Sequence, residues 1–325
     1  MDNSSENFSE KMNRWGREGR PFLFLLDFAL QQPVVLPLDE VNPEEVLYDV
    51  NGSRNFEEKP CDDSPVSFTV VPASRARYRK AFSLVQQHTH RGDTFLLNLT
   101  LPSRVESNLS LKQLFFRSKA KYKIYYKDLF ICFSPEIFVQ TDGDIIRSFP
   151  MKGTLDASVQ DASEKLLSNK KELAEHFTIV DLIRNDLSIV AKEVEVSRFR
   201  YIDQIKTNKN EILQMSSEIR GRLRSEYLHA PGDMFLKLLP AGSVSGAPKK
   251  KTLEIIRKAE SYNRGFYTGV MGIFDGRDID SGVMIRFIEN TADGLVYKSG
   301  GGITAQSNCE EEYNELIEKI YVPCA

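Results

Sequence analysis

Between Lys121 and Pro150 four short β-prone runs, YKIYY, LFICF, IFVQ and IIRSF, follow one another with only turns between them. The last turn, Thr141-Asp142-Gly143-Asp144, carries the Asp-Gly pair that closes tight hairpins, so neighbouring runs are predicted to pair antiparallel. Helical patterns stand apart from this cluster. Residues from about Val159 to Ala191 place Leu166, Leu167, Leu173, Phe177, Val180 and Ile183 near the helical period. A second helix is expected after Pro248, with Leu253, Ile256 and Ala259 on one face. A third starts at Ser307, with Glu310 completing a capping-box pattern, and continues with the apolar stripe Tyr313, Leu316, Ile317 and Ile320. Hairpins grouped with separate helices, without regular βαβ alternation, define an α+β class rather than a doubly wound parallel sheet.

With 325 residues, 41% hydrophobic and 10% aromatic, the chain can bury a substantial core. We read it as a single domain over 1–325. Its N-terminal strand region, residues 1–65, is joined through a loop at about Asn51 to Pro65, where Gly, Pro, Asp and Asn crowd together. The longest apolar run, Phe22 to Leu30, is interrupted by Asp27 and reaches about half the ~20 residues of a membrane helix, so no span is expected. The polar, mixed-charge N-terminus lacks the basic start and apolar centre of a secretory signal, which points to the cytoplasm. Cys61, Cys132, Cys309 and Cys324 show no CxxC spacing and are read as reduced thiols. Lys and Arg number 43 against 46 Asp and Glu, with no dense basic block, so a nucleic-acid arm is not expected. An anionic substrate would have to be held by local donors.

Two glycine-rich segments could hold such an anion. In PAGSVSGAPK, Pro240 to Lys249, Gly242 and Gly246 allow close backbone approach, and the amides at the following helix start can meet negative charge. A plain loop-to-helix turn is the alternative. In SGGGI, Ser299 to Ile303, three successive glycines can converge their amides on a carboxylate, or simply end a strand. Glu172 with Glu175, and Glu312 with Glu315, have the i, i+3 spacing that puts each pair on one helical side. Periodicity alone makes these solvated faces; they become Mg²⁺ ligands only if their helices face each other. Asp181 to Asp186 (DLIRND) is expected to form a buried salt-bridge network. Arg286, ending the run GVMIR, could clamp a carboxylate or pair with an acid. His88, His90, His176 and His229 are scattered and read as structural.

Taken in order, these segments resemble the chorismate-binding enzymes, the family of anthranilate synthase large subunits and of aminodeoxychorismate, isochorismate and salicylate synthases. The matching pieces are SPEIF at Ser134 to Phe138, PMKGT at Pro150 to Thr154, and EHFTIVDLIRNDL at Glu175 to Leu187. PAGSVSGAPK, Ile285-Arg286, SGGGI and EEYNE at Glu311 to Glu315 complete the set. The resemblance runs from about Pro65 to Lys319. It implies an anthranilate-synthase-like fold of two orthogonal antiparallel β-sheets flanked by helices. Lys152 in PMKGT is similar to the aminodeoxychorismate synthases, where anthranilate synthases usually have alanine. Leu96 stands where the isochorismate and salicylate enzymes use a lysine to activate water, which disfavours hydrolytic chemistry. Only PFLFLLDF, Pro21 to Phe28, resembles the start of the compact synthases, so feedback by tryptophan is not expected.

The resemblance further implies a set of roles. Glu136 protonates the departing ring 4-hydroxyl of chorismate, Lys152 attacks the ring at C2, and ammonia then adds at C4 and expels the lysine. Mg²⁺ would be held mainly by Glu175 and Glu315, with Glu312 and Glu172 in support. Gly300, Gly301 and Gly302, with Gly153 and Thr154, would fix the ring carboxylate, and Arg286 the enolpyruvyl carboxylate. Ser245 and Gln214 complete the substrate-binding set. The sequence departs from the family at Leu96, where ammonia-using members often have glutamine, at Gln214, often histidine, and at Ile273, where a tyrosine helps hold the side-chain carboxylate. No cysteine-histidine glutaminase unit is visible, so ammonia would come from solution or from a glutamine amidotransferase subunit. The expected product is 4-amino-4-deoxychorismate, on the route to 4-aminobenzoate and folate. The alternatives are an anthranilate synthase large subunit and a non-catalytic anion-binding relative.

Overall fold

The computed structural model describes residues 7–57, 66–206 and 211–323. Its chain divides into two compact units, each assembled from three stretches. Met1–Val41, Glu136–Ser243 and Gly269–Val283 make the first; Asn42–Pro135, Val244–Thr268 and Met284–Ala325 make the second. Each contains a nine-stranded antiparallel sheet with helices, the α+β architecture expected from the hairpin cluster. Among the described residues no helix is long and apolar enough to cross a membrane.

In the first unit the spatial order is Met151–Asp156, Glu211–Leu223, Ile145–Ser148, Ile137–Asp142, Ile279–Val283, Val270–Phe274, Phe22–Leu26 and Val34–Pro37. Ala191–Lys206 also pairs with Glu211–Leu223. Phe22–Leu26 (FLFLL) is buried at every position because it has a neighbour on each edge and packing on both faces, which explains an unbroken apolar run where a half-exposed strand would alternate. Phe22 lies 5.8 Å from Trp15 of the helix Phe8–Glu18, and Phe24 lies 4.8 Å from Phe235 of the helix Pro231–Leu238. Gly143 and Asp144 turn the predicted hairpin between the paired Asp142 and Ile145, with Gly143 at φ 61°.

The helix expected over 159–191 is two helices, Ala162–Ser168 and Lys170–Val190, broken at Asn169. The Asn169 side chain accepts from the Glu172 amide, so this residue caps the second helix. In that helix His176, Ile179, Val180, Ile183, Leu187 and Val190 face inward, and Phe177 is 53% exposed against our placement of it in the apolar stripe. The same phase corrects the reading of DLIRND. Asp181 and Arg184 pair at 2.7 Å on the surface, and only Asp186 of the charged residues is buried.

The second unit orders its strands Gly246–Ala247, Leu96–Ser107, Gly294–Ile303, Phe287–Thr291, Phe130–Ser134, Tyr122–Tyr126, Val46–Val50 and Ser53–Arg54, with Phe68–Val71 also paired to Leu96–Ser107. The short strand Ser53–Arg54 falls inside the expected loop, whose residues 58–65 lie outside the described residues, as do Cys61 and Cys324. Leu114, Phe115, Ile131, Phe133, Ile288, Tyr297 and Ile320 form a core against which Ile317 of the C-terminal helix packs. That helix, Cys309–Glu318, is capped by Asn308, which accepts from the Glu310 and Glu311 amides. The capping box expected at Ser307 is absent because Asn308, one residue later, takes the role; the Ser307 hydroxyl accepts from Thr304 instead.

Candidate active site

In the first unit the strand Met151–Asp156 carries PMKGT. Lys152 pairs with Met215 and Thr154 with Gln214, and the register slips between them. Gly153 supplies the slip at φ +75°, a bulge conformation that favours glycine. A Cβ there would also meet Leu166 Cδ1 at 3.0 Å and Glu172 Oε2 at 3.1 Å. The Glu172 carboxylate therefore lies against the backbone of PMKGT, with Gln214 opposite Thr154: three predicted elements far apart in sequence are brought together. Beneath them pack Ala162, Leu166, Leu213 and Met215. Glu175 is half-buried one turn further along the same helix.

Glu136 immediately precedes the strand Ile137–Asp142. Its carbonyl accepts from the Val283 amide at 3.0 Å, and its Oε1 accepts from the Ser243 hydroxyl at 2.5 Å. SPEIF is thereby tied to PAGSVSGAPK through Ser243, a residue our sequence reading passed over in favour of Ser245. Ser245 lies in the second unit and is fully buried. Gly242 closes the segment against the long helix, since a Cβ there would lie 2.7 Å from Asp186 Oδ2. Ile273 is buried in the strand Val270–Phe274.

In the second unit Gly300, Gly301 and Gly302 pair with Thr100, Leu99 and Asn98. A Cβ on Gly300 would stand 2.3 Å from the Leu99 carbonyl, so no larger residue fits. At Gly301 a Cβ would lie 3.4 Å from Glu315 Oε1 and 3.6 Å from Glu312 Oε2. Two carboxylates thus converge on one backbone point; Glu312 is 5% exposed and so is not on a solvated face, whereas the Glu315 side chain is 45% exposed. Such convergence requires positive charge nearby. Lys319 supplies some of it, donating to Glu315 and, at 3.1 Å, to the Gly300 carbonyl. Clustered hard oxygen donors of this kind suit Mg²⁺. Among the described residues no group of three or more His, Cys, Asp or Glu side chains is gathered as a metal site.

Arg286 joins Ile279–Val283 to Phe287–Thr291 at φ 53°, and its carbonyl accepts from the Phe133 amide at 3.0 Å. Its guanidinium stacks 5.0 Å from the Tyr321 ring, and among the described residues its buried Nε has no hydrogen-bond partner. Among the described residues no carboxylate forms a salt bridge with this buried guanidinium, the condition under which an arginine could meet a bound anion.

Both glycine segments lean on one buried ion pair. Arg264 and Glu260 meet at 2.6 Å, each about 2% exposed or less. Arg264 also donates to the carbonyls of Val244 and Asn98, at 2.8 and 2.7 Å, and Glu260 accepts from the Thr100 amide and hydroxyl at 2.8 Å each. Asn98 and Thr100 are the strand partners of Gly302 and Gly300. Their i, i+4 spacing was visible in AESYNRG, but it spans the end of a helix, where it carries no pairing signal.

The model of the chorismate binding enzyme family matches residues 36–324, and the chain belongs to that family. It is 47% identical over 318 residues to an "Uncharacterized PabA-like protein" of Haemophilus influenzae, covering 98% of this chain and 97% of the relative. It is 30% identical over 268 residues to aminodeoxychorismate synthase component 1 of Bacillus subtilis, covering 77% of this chain and 55% of that one. Among solved structures it resembles anthranilate synthase component I from Streptococcus pneumoniae with a TM-score of 0.67 at 27% identity, over 81% of this chain and 60% of the other. The protein is thus a chorismate enzyme with the anthranilate-synthase-like fold.

Proposed function

We propose that the protein aminates chorismate at C4 to give 4-amino-4-deoxychorismate, with ammonia supplied from glutamine by a separate amidotransferase subunit. In this reading the whole chain acts as one chorismate-binding domain in the cytoplasm. The observation that carries it is a lysine, Lys152, in the bulged strand whose backbone meets Glu172 and whose partner strand presents Gln214. The likeness to aminodeoxychorismate synthase component 1 supports the same product.

In the reaction Glu136, its carboxyl set by Ser243, gives its proton to the 4-hydroxyl, which leaves as water. The neutral amine of Lys152 forms a bond to C2 as both conjugated ring double bonds shift toward C4 and the C4–O bond breaks. Ammonia then bonds to C4, both double bonds shift back, the C2–N bond breaks to release the lysine, and a proton from the new C4 ammonium returns to Glu136. The sum replaces one hydroxyl by one amino group and releases one water. A lysine at its ordinary pKa of about 10.4 is almost wholly protonated near neutrality, so the step requires surroundings that favour the neutral amine. Gly300 to Gly302, Gly153 and Thr154 hold the ring carboxylate, and Arg286 the enolpyruvyl carboxylate. Bound Mg²⁺, held by Glu175 and Glu315 with Glu312 and Glu172, would screen the dianionic substrate from these acids.

Mass spectrometry of the product from chorismate, ammonium and Mg²⁺ tests the proposal. Aminodeoxychorismate is expected with ammonium and none with glutamine alone. Anthranilate and pyruvate would transfer the assignment to the second reading, which the likeness to anthranilate synthase component I favours. Chorismate left unconsumed would indicate a non-catalytic relative.

A further inference from the structure

The long helix Lys170–Val190 is held by apolar packing over only part of its length. Ile179, Val180, Leu182, Ile183, Leu187 and Val190 anchor the later turns. Before them the described side chains Glu172, Leu173 and Glu175 are half-buried and Ala174 is exposed. Among the described side chains of the helix His176 is the first that is fully buried, at 0% exposure, and it is polar. Its Nε2 lies 2.7 Å from the Ser217 hydroxyl, and its ring lies 5.9 Å from that of Phe199.

Ser217 is itself a junction. Its hydroxyl accepts from the Arg200 amide at 3.0 Å, and its own amide donates to the Pro150 carbonyl at 3.0 Å, two residues before Lys152. One serine thus touches the start of PMKGT through its backbone and the residue after Glu175 through its side chain. The bond sits where the described apolar packing thins, so it contributes to the rotation and depth of the early helical turns.

We infer that His176 and Ser217 are a positioning pair that sets the carboxylates of Glu172 and Glu175 relative to the strand carrying Lys152. The inference rests on the proposed reading of Glu175 as a metal ligand. Hydrogen-bonding partners of this kind, acting behind the ligands, change metal affinity by about 10- to 100-fold when removed.

The test uses the full chain with Mn²⁺ as the probe ion, its binding followed by electron paramagnetic resonance with and without chorismate. Ser217→Ala and His176→Ala are expected to weaken Mn²⁺ binding at least ~10-fold. Because the two residues form one device, the double variant should be no weaker than either single one. Ser217→Thr, which keeps the hydroxyl, should retain affinity and serves if the alanine variants fail to fold. Val180→Ala, which removes an apolar anchor of the same helix, should lower the melting temperature while leaving Mn²⁺ affinity within about twofold. If Ser217→Ala lowers the melting temperature but binds Mn²⁺ like the wild type, the pair is merely structural and the inference is wrong. If the wild type binds no Mn²⁺ in either condition, the metal reading of Glu175 has failed, and the pair's proposed role falls with it.

Discussion

The two sheets are of equal strand number, yet they prepare their site residues differently. In the first unit the candidate acid Glu136 sits just before a strand, where the Ser243 hydroxyl donates to it, and Lys152 lies in a strand bulged at Gly153. In the second unit the glycine strand is backed by a saturated, fully buried arginine whose donors reach two segments at once. Groups that must exchange protons and bonds need some freedom, whereas donors that hold an anion work best when they are fixed before it arrives. The difference suggests a division in which the first unit makes and breaks bonds and the second holds charge.

Substitutions at four positions would break or sharpen that division. The largest effect is expected at Lys152→Ala, a fall in turnover on the order of 10³-fold or more, with chorismate still bound in a calorimetric titration. Lys152→Arg should not rescue it, because guanidinium stays protonated. A near-normal rate with the same product would remove the covalent step. Next, Arg264→Ala should destabilise the fold by about 3–5 kcal/mol in urea unfolding, since it leaves Glu260 buried and unpaired. A loss below about 1 kcal/mol would mean that the strand ladder alone holds the glycines.

Arg286→Ala should act on binding, raising KM for chorismate about 10- to 100-fold, the equivalent of losing a charge-assisted contact, while kcat changes less. The opposite split would assign Arg286 to the chemistry and collapse the proposed division. The smallest effect is expected at Lys319→Gln. Removing the ammonium from Glu315 should lower the Mg²⁺ concentration for half-maximal activity by a few fold, the scale of a partly exposed ion pair. An unchanged requirement would show that Lys319 and the metal do not share that carboxylate.

Much of this was legible locally. The four hairpin strands follow from alternation and an Asp-Gly turn, and the helices after Pro248 and Asn308 from period and caps, because such signals are confined to a few neighbouring residues. The Ser307 box misled because two adjacent residues can both cap, and only the geometry of Asn308 decides. The break at Asn169 was hidden inside a continuous apolar rhythm, and missing it put Phe177 and the charges of DLIRND on the wrong side. The Glu312–Glu315 pair reads from periodicity as a solvated face, and its convergence on Gly301 depends on a strand register that no short motif records. Ser217, Ser243 and Lys319 gave no signal, since each matters through a partner fixed by the tertiary fold.

The interleaving of the two units also bears on how the protein is made. Phe22, in a strand that is apolar throughout, pairs with Phe274, 252 residues later (274 less 22). At synthesis rates of roughly 5–20 residues per second, that edge waits about 13–50 s for its partner. During this interval FLFLL is shielded on only one side, by Val34–Pro37, and it has the composition that recruits other strands. A ribosome stalled before Val270 would release a chain whose first sheet cannot close. The emerging polypeptide is therefore a natural client for chaperones until its last quarter has been translated.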